Sequence, residues 1–141
     1  MSIKNSSPFQ IIGNRILSVN IDNSFFNLTD DNIAEKSFDY NSEIGNIIKD
    51  EKEMLGTVRL SLAIKIEGVQ AEQQYSFDLT LEGCFSTNLD TDEDEFKSML
   101  KINGSAALFS IARSFIIGTS SQTCLSGQII LPMVNFTISN E

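Results

Sequence analysis

Met54–Val69, "MLGTVRLSLAIKIEGV", and Gln73–Asn88, "QQYSFDLTLEGCFSTN", carry the pattern that decides the fold. In the first, Val58, Leu60, Leu62, Ile64 and Ile66 fall on one face and Arg59, Ser61, Lys65 and Glu67 on the other. In the second, Tyr75, Phe77, Leu79 and Leu81 oppose Ser76, Asp78 and Thr80. A period of two is the signature of a half-buried strand. "EGVQAE" supplies a turn at Gly68, so the two strands form an antiparallel hairpin with one covered face and one comparatively polar face. Gly83 is expected to mark a bulge where the pattern changes phase.

Towards the N-terminus, residues 9–21, "FQIIGNRILSVNI", read as a first strand, made irregular by Ile12, Gly13 and Asn14. Residues 22–53 are rich in Asp, Asn, Glu and Ser and read as an acidic loop, yet they keep Phe25, Phe26, Phe38 and Tyr40. Two uses remain open for these aromatics. They fold back onto the core, or they line a binding surface carried on a scaffold loop.

Towards the C-terminus, "DTDEDEFKSMLK" (90–101) reads as a short helix, with acids in its first turn as the helix dipole favours. Asp90, Asp92 and Asp94 do not make a calcium loop, because Glu95 replaces the required glycine and Lys101 the closing glutamate. Residues 105–118 place Leu108, Ile111, Ala112, Phe115 and Ile116 at helical spacing, with Ser105 or Asn103 as cap and Gly118 as stop. Only Ser110, Arg113 and Ser114 are polar, which suits a helix between two layers or in an oligomer interface. "GQIILPMVNFTIS" then runs extended, with Pro132 confining it to an edge or a loop. From Ile102 to Phe136 the only charge is Arg113, in a chain of net charge −9.

Length sets one domain, residues 1–141, large enough to bury a core without staples. The acidic balance works against nucleic acid and anionic membrane, since Lys49 and Lys52 sit among Asp50, Glu51 and Glu53. No apolar run of about 18 residues and no signal-peptide h-region appears, so a cytoplasmic protein without membrane insertion is expected. Cys84 and Cys124 fit as reduced, buried residues there. With no histidine, Ser-His-Asp and Cys-His machinery cannot be assembled, no phosphate-cradling glycine loop is present, and a zinc site is not expected. No enzyme, metal or cofactor is expected.

The order of "FQI…RI" near the start, "LEGCF" after the second long strand, "ALFSIARSFI" in the helix and "ILPMVNF" near the end resembles SecB, the bacterial protein-export chaperone family. That family shows "GG-x-F" after a strand, an "ILFPYAR" helix start and "L-x-P-x-NF" beyond it. Gly83, Phe85, Leu108, Phe109, Ala112, Arg113, Pro132, Asn135 and Phe136 carry the agreement, which runs from about Phe9 to Phe136. The resemblance implies an α+β fold, a four-stranded antiparallel sheet with helices on one face. It also implies a homo-oligomer, dimer or tetramer, with Phe77, Leu79, Leu108, Ile111 and Phe115 at its interface. An extended apolar groove would hold unfolded or aggregation-prone polypeptide without ATP, for export or for a dedicated client such as an antitoxin. Its walls fall in the regions of Phe25, Phe26, Phe38 and Tyr40 and of Leu125, Ile129 and Ile130. Asp78 would be the contact for a motor partner, SecA. Against SecA stand Asn20 in place of an acid and the end of the chain at Glu141, where the family continues with a helix and a tail that engages the motor. The family's loop tryptophan is absent, and Ser110 replaces its helix-start proline. The other reading is a non-chaperone interaction or structural subunit that keeps the fold.

Overall fold

The computed structural model describes residues 8–24, 27–70, 72–123, 127–132, 134 and 136. Strands β1 (Gln10–Asn23), β2 (Ile33–Ile44), β3 (Ile48–Lys49), β4 (Glu53–Gly68) and β5 (Gln74–Asn88) precede helices α1 (Glu93–Met99) and α2 (Ser105–Thr123). The sheet is antiparallel, in the order β1-β5-β4-β2, with β3 also paired to β4. It has five strands where four are expected, the fifth being the two-residue β3.

The hairpin is in register along its whole length, with Leu60 opposite Leu81, Leu62 opposite Leu79, Ile64 opposite Phe77 and Ile66 opposite Tyr75. Directly opposed residues share a face, so the two apolar stripes fuse into one floor. All eight of these side chains are buried. Against them lie Phe96, Leu100, Leu108, Phe109, Ala112 and Ile116 from the helices, and Phe77 meets Phe115 edge-on. Gly83 does not bulge, because the β4–β5 register passes through Val58–Gly83 without a slip. The irregularities lie in β1, at Ile11/Gly13 and Ile16/Ser18, and at the start of β2, at Ile33/Glu35. A Cβ on Gly83 would come within 2.8 Å of Leu108 Cδ2 and 2.9 Å of the Phe85 ring. Glycine there lets α2 sit close on the sheet.

Residues 22–53 are not one loop, since β2 occupies their second half and pairs with β4 from Ile33–Gly68 to Ile44–Val58. Its core-side positions include Lys36 and Ser42 beside Phe38, Tyr40 and Ile44, which breaks the apolar alternation that sequence reading depends on. β1 and β2 lie at opposite edges, and the ends of their connection are held at the hairpin tip, where Ser24 bonds Gln74 and Val69 N–H donates to the Asn32 carbonyl.

The helices are also joined. Asp92 caps α1 by accepting from Glu95 N–H, and a single π turn, Leu100–Gly104, passes the chain into α2 without a break. Ser105 is not a cap, for its hydroxyl lies 2.5 Å from that of Ser42 on β2, both buried. Lys101 Nζ donates to the Ser42 carbonyl at 2.7 Å, so the wide turn fastens the helix to the edge strand. Gly118 faces open space and does not stop α2, which continues to Thr123. Thr123 is held by the Tyr75 hydroxyl and by the Asn23 side-chain amide. By length and composition the rod Glu93–Thr123 could cross a bilayer, a property it shares with core helices such as this one, whose apolar stripe lies on the sheet. Cys84 is half-buried on the opposite face, and Cys124 lies outside the described residues.

Adding a side chain at the closest helix–sheet approach should force α2 away. Gly83→Val is expected to lower stability by about 1–3 kcal/mol, read as a lower urea midpoint with an unchanged slope.

Candidate functional site

Beyond Thr123 the described tail, Gly127–Pro132 with Val134 and Phe136, runs back along α2 on its β2 side. Ile129 N–H donates to Ser120 Oγ at 2.8 Å, and Arg113 Nε donates to the Leu131 carbonyl at 3.2 Å. As the helix number falls from 120 to 113 the tail number rises from 129 to 131, so tail and helix are antiparallel. Ile129 and Leu131 point into the core, while Ile130 between them is 62% exposed. At the far end Phe136 packs edge-on against Phe109 and Tyr40, with ring centroids 5.7 and 5.4 Å apart. Phe38 stacks on Tyr40 and meets Phe109.

Between this tail and β2 lies a cleft of about 380 Å³. Ile64 and Ile66 form its floor, Ile33, Phe38 and Leu28 one side, and Ile129, Ile130 and Leu131 the other. Asp30 and Lys36 stand at its rim. Ser37 and Gln128 complete the lining, and such a mostly apolar cleft, rimmed by polar side chains, suits an extended segment with apolar side chains.

Of the residues expected to line a groove, Phe38, Ile129 and Ile130 meet at this cleft. Tyr40 lies one step along the same aromatic cluster. Phe25, Phe26 and Leu125 lie outside the described residues. Sequence reasoning missed Ile33, Ile64, Ile66 and Leu131. Ile64 and Ile66 already belonged to the floor of the hairpin, and nothing local says that the floor runs out from beneath the helix there.

The expected interface set divides. Phe77, Leu79 and Leu108 are fully buried within the single chain, between β5 and α2, so they are core residues and are not available to a partner. Ile111 and Phe115 are half-buried on the helix flank. Large exposed apolar side chains occur instead along β1, where Ile11, Ile12, Ile16, Leu17 and Val19 are 38–56% exposed. Ile11, Ile16 and Val19 pair with Phe85, Leu81 and Leu79 and so face the helix side, on a flank α2 does not reach.

The opposite sheet face is polar. Asp78 is exposed there, directly across from Asn20 on β1 and beside Ala63 on β4. Glu82 takes Arg15 from β1 at 2.9 Å and Arg59 from β4 at 3.2 Å, a charged tie across three strands. The Arg15 hydrogen bond holds the Glu82 carboxyl below its ordinary range, against partial burial and with help from Arg59. Asp50 is likewise lowered, by accepting the Lys52 and Glu53 amides in the turn into β4.

The fold is SecB-like. The chain matches a Mycobacterium tuberculosis SecB-like chaperone, Rv1957, solved in complex with a ChAD peptide from the HigA1 antitoxin, with a TM-score of 0.65. Identity is 16%, over 92% of this chain and 93% of that one. A Streptococcus agalactiae protein of unknown function matches with a TM-score of 0.53 and 12% identity, over 89% and 97% of the two chains. No protein-family model and no curated protein sequence matches.

A carboxyl depressed in the folded state stabilises fully above its unfolded pKa, and the contribution is lost as pH falls through the folded value. Glu82→Gln should therefore lower stability at pH 7 by up to about 1 kcal/mol, a small effect because both arginines are largely solvated. It should also flatten the decline in urea midpoint below about pH 4.5, measured against the parent chain.

Proposed function

We propose that this chain is an ATP-independent holdase that takes an extended apolar segment of a non-native polypeptide into the cleft between β2 and the C-terminal tail. The cleft itself carries the reading: it is apolar, open to solvent and flanked by Ile130, whose side chain has no place in the protein's own core. Burial of client side chains would supply affinity at roughly 25 cal/mol per Å² before ordering costs, with little demand on client sequence. The acidic chain, at net charge −9, keeps such a surface soluble and favours clients with basic flanks. The antitoxin peptide held by the Mycobacterium tuberculosis neighbour favours a peptide client, and an antitoxin as a dedicated client is the specific form of this proposal.

Assembly belongs to the same proposal. A second copy would cover the apolar flank of β1, whose outer edge is unpaired among the described strands. The uncharged outer side of α2, with Ala106, Ser110, Ser114 and Gly118 exposed, allows another helix to approach closely. Cytoplasmic residence suits such a protein. A motor partner would find Asp78 on the open sheet face.

The holdase reading is tested by aggregation of an unrelated, chemically unfolded protein. The wild-type protein should suppress light scattering at near-stoichiometric amounts. Ile130→Asp should weaken that suppression about tenfold or more while leaving the thermal melt unchanged, because the side chain is already in solvent. If wild-type protein neither suppresses scattering nor binds the unfolded chain, a structural or interaction subunit is the better description for general clients.

Assembly is tested by sedimentation equilibrium. Ile16→Asp with Val19→Asp should reduce the assembly to a smaller species, and an unchanged mass would put the interface elsewhere.

A further inference from the structure

From Ile102 to Phe136 the only charged side chain is Arg113, and it is half-buried. Its position opposite the tail gives it a use. Among the described residues, Gly127–Pro132 makes no backbone–backbone hydrogen bond to the sheet or to α2. Among the described residues the tail is instead hung on α2 by side chains, Ser120 Oγ accepting from Ile129 N–H and Arg113 Nε donating to Leu131 C=O. Residues 113 and 120 are two helical turns apart, about 10.5 Å of rise, while 129 and 131 span about 7 Å of extended chain. The long arginine stem makes up the difference, which a serine or threonine at 113 could not do.

The rest of the tail agrees with a wall held from one side. Ser120 is fully buried, so its hydroxyl has no solvent alternative, and it also donates to the Ile117 carbonyl. Gly127 begins the tail at φ +90°, and a Cβ there would come within 2.6 Å of the Leu28 carbonyl oxygen. Only glycine turns the chain that tightly against the crossover segment. Pro132 has no N–H and cannot extend a strand ladder. A segment held by side-chain bonds and no ladder among its described residues can open locally at far lower cost than a strand within the sheet.

We propose that Arg113 and Ser120 are the positioning residues of the cleft, hanging the tail from α2 so that Ile129–Leu131 stand as a wall which a client can shift without breaking the sheet. The client half of this proposal rests on the holdase reading. The anchor half does not.

Two readouts on the full chain separate them. Hydrogen exchange of the Gln128–Leu131 amides reports the anchor, with the β4 and β5 amides as the internal standard for global unfolding. Fluorescence anisotropy of a labelled, permanently reduced and alkylated polypeptide reports client affinity. Arg113→Met keeps the apolar stem and removes the donor. It should speed tail exchange about tenfold or more and weaken the polypeptide about tenfold, with β4 and β5 protection unchanged. Arg113→Lys, which keeps a donor on a similar stem, should recover part of both. Ser120→Ala is the smaller cut that keeps the test decisive if Arg113→Met unfolds, and should act in the same direction. Unchanged tail exchange in both Arg113→Met and Ser120→Ala overturns the anchor. Faster exchange with unchanged affinity overturns its role in holding a client. Faster tail exchange in a protein whose wild type binds no polypeptide supports the anchor and overturns the holdase reading.

Discussion

A helix is about 10–12 Å across with its side chains, and strands lie about 4.8 Å apart, so one helix covers two strands and not four. That mismatch governs this protein. The rod Glu93–Thr123 rests on the central pair, β4 and β5, whose in-register apolar faces give it a floor. β1 and β2, on either side, are touched by the rod only at points, Asn23 on β1 and Phe38 and Ser42 on β2, and keep helix-side residues beyond its cover. Everything that distinguishes the molecule happens on those two flanks.

The flanks are handled differently because their sequences differ. β2 brings Lys36, Ser42 and two aromatics to the helix side. The π turn meets Ser42 with Lys101 and Ser105, while the tail and Phe136 close over the aromatics. The tail buries Ile64 and Ile66 without filling the space above them, and the cleft is the remainder. β1 brings Ile11, Ile16 and Val19, and among the described residues Phe9, stacked on Phe85, lies over that flank's upper end. A floor of continuous apolar rows with a single ridge along its middle leaves two troughs. One is narrowed by the chain's own tail, and the other stays open.

The hairpin was legible in the sequence because both of its strands repay alternation with burial on one side only, and periodicity registers nothing else. The same sensitivity explains the failures. β2 was hidden because a lysine that leaves by the rim and a serine that finds a buried hydroxyl both read as polar, although they occupy core-side positions. Gly83 resembled a bulge because a missing side chain and a missing register look alike until a neighbour, here Leu108, fills the space. Ser105 and Gly118 carried the chemistry of a helix start and stop, yet Ser105 found a partner on another strand and Gly118 costs the helix only about 1 kcal/mol. Phe77, Leu79 and Leu108 were expected at an interface on the resemblance to SecB, and the packing of α2 on β5 within one chain buries them instead.

The candidate site was half legible for a related reason. Phe38 lies far in the chain from Ile129 and Ile130, and only the resemblance to SecB brought them together in advance. What lets the tail lie beside Phe38 is the absence of charge at residues 127–132. An acid or lysine at 129–131 would need a partner or water, and either would fill the cleft or pull the tail off the helix. One charge is tolerated, on Arg113, because a guanidinium carries enough donors to satisfy a backbone carbonyl while its stem lies along apolar surface. The run is therefore uncharged where the chain must remain apolar on two sides, towards its own floor and towards the open cleft, and charged only where the wall is fastened.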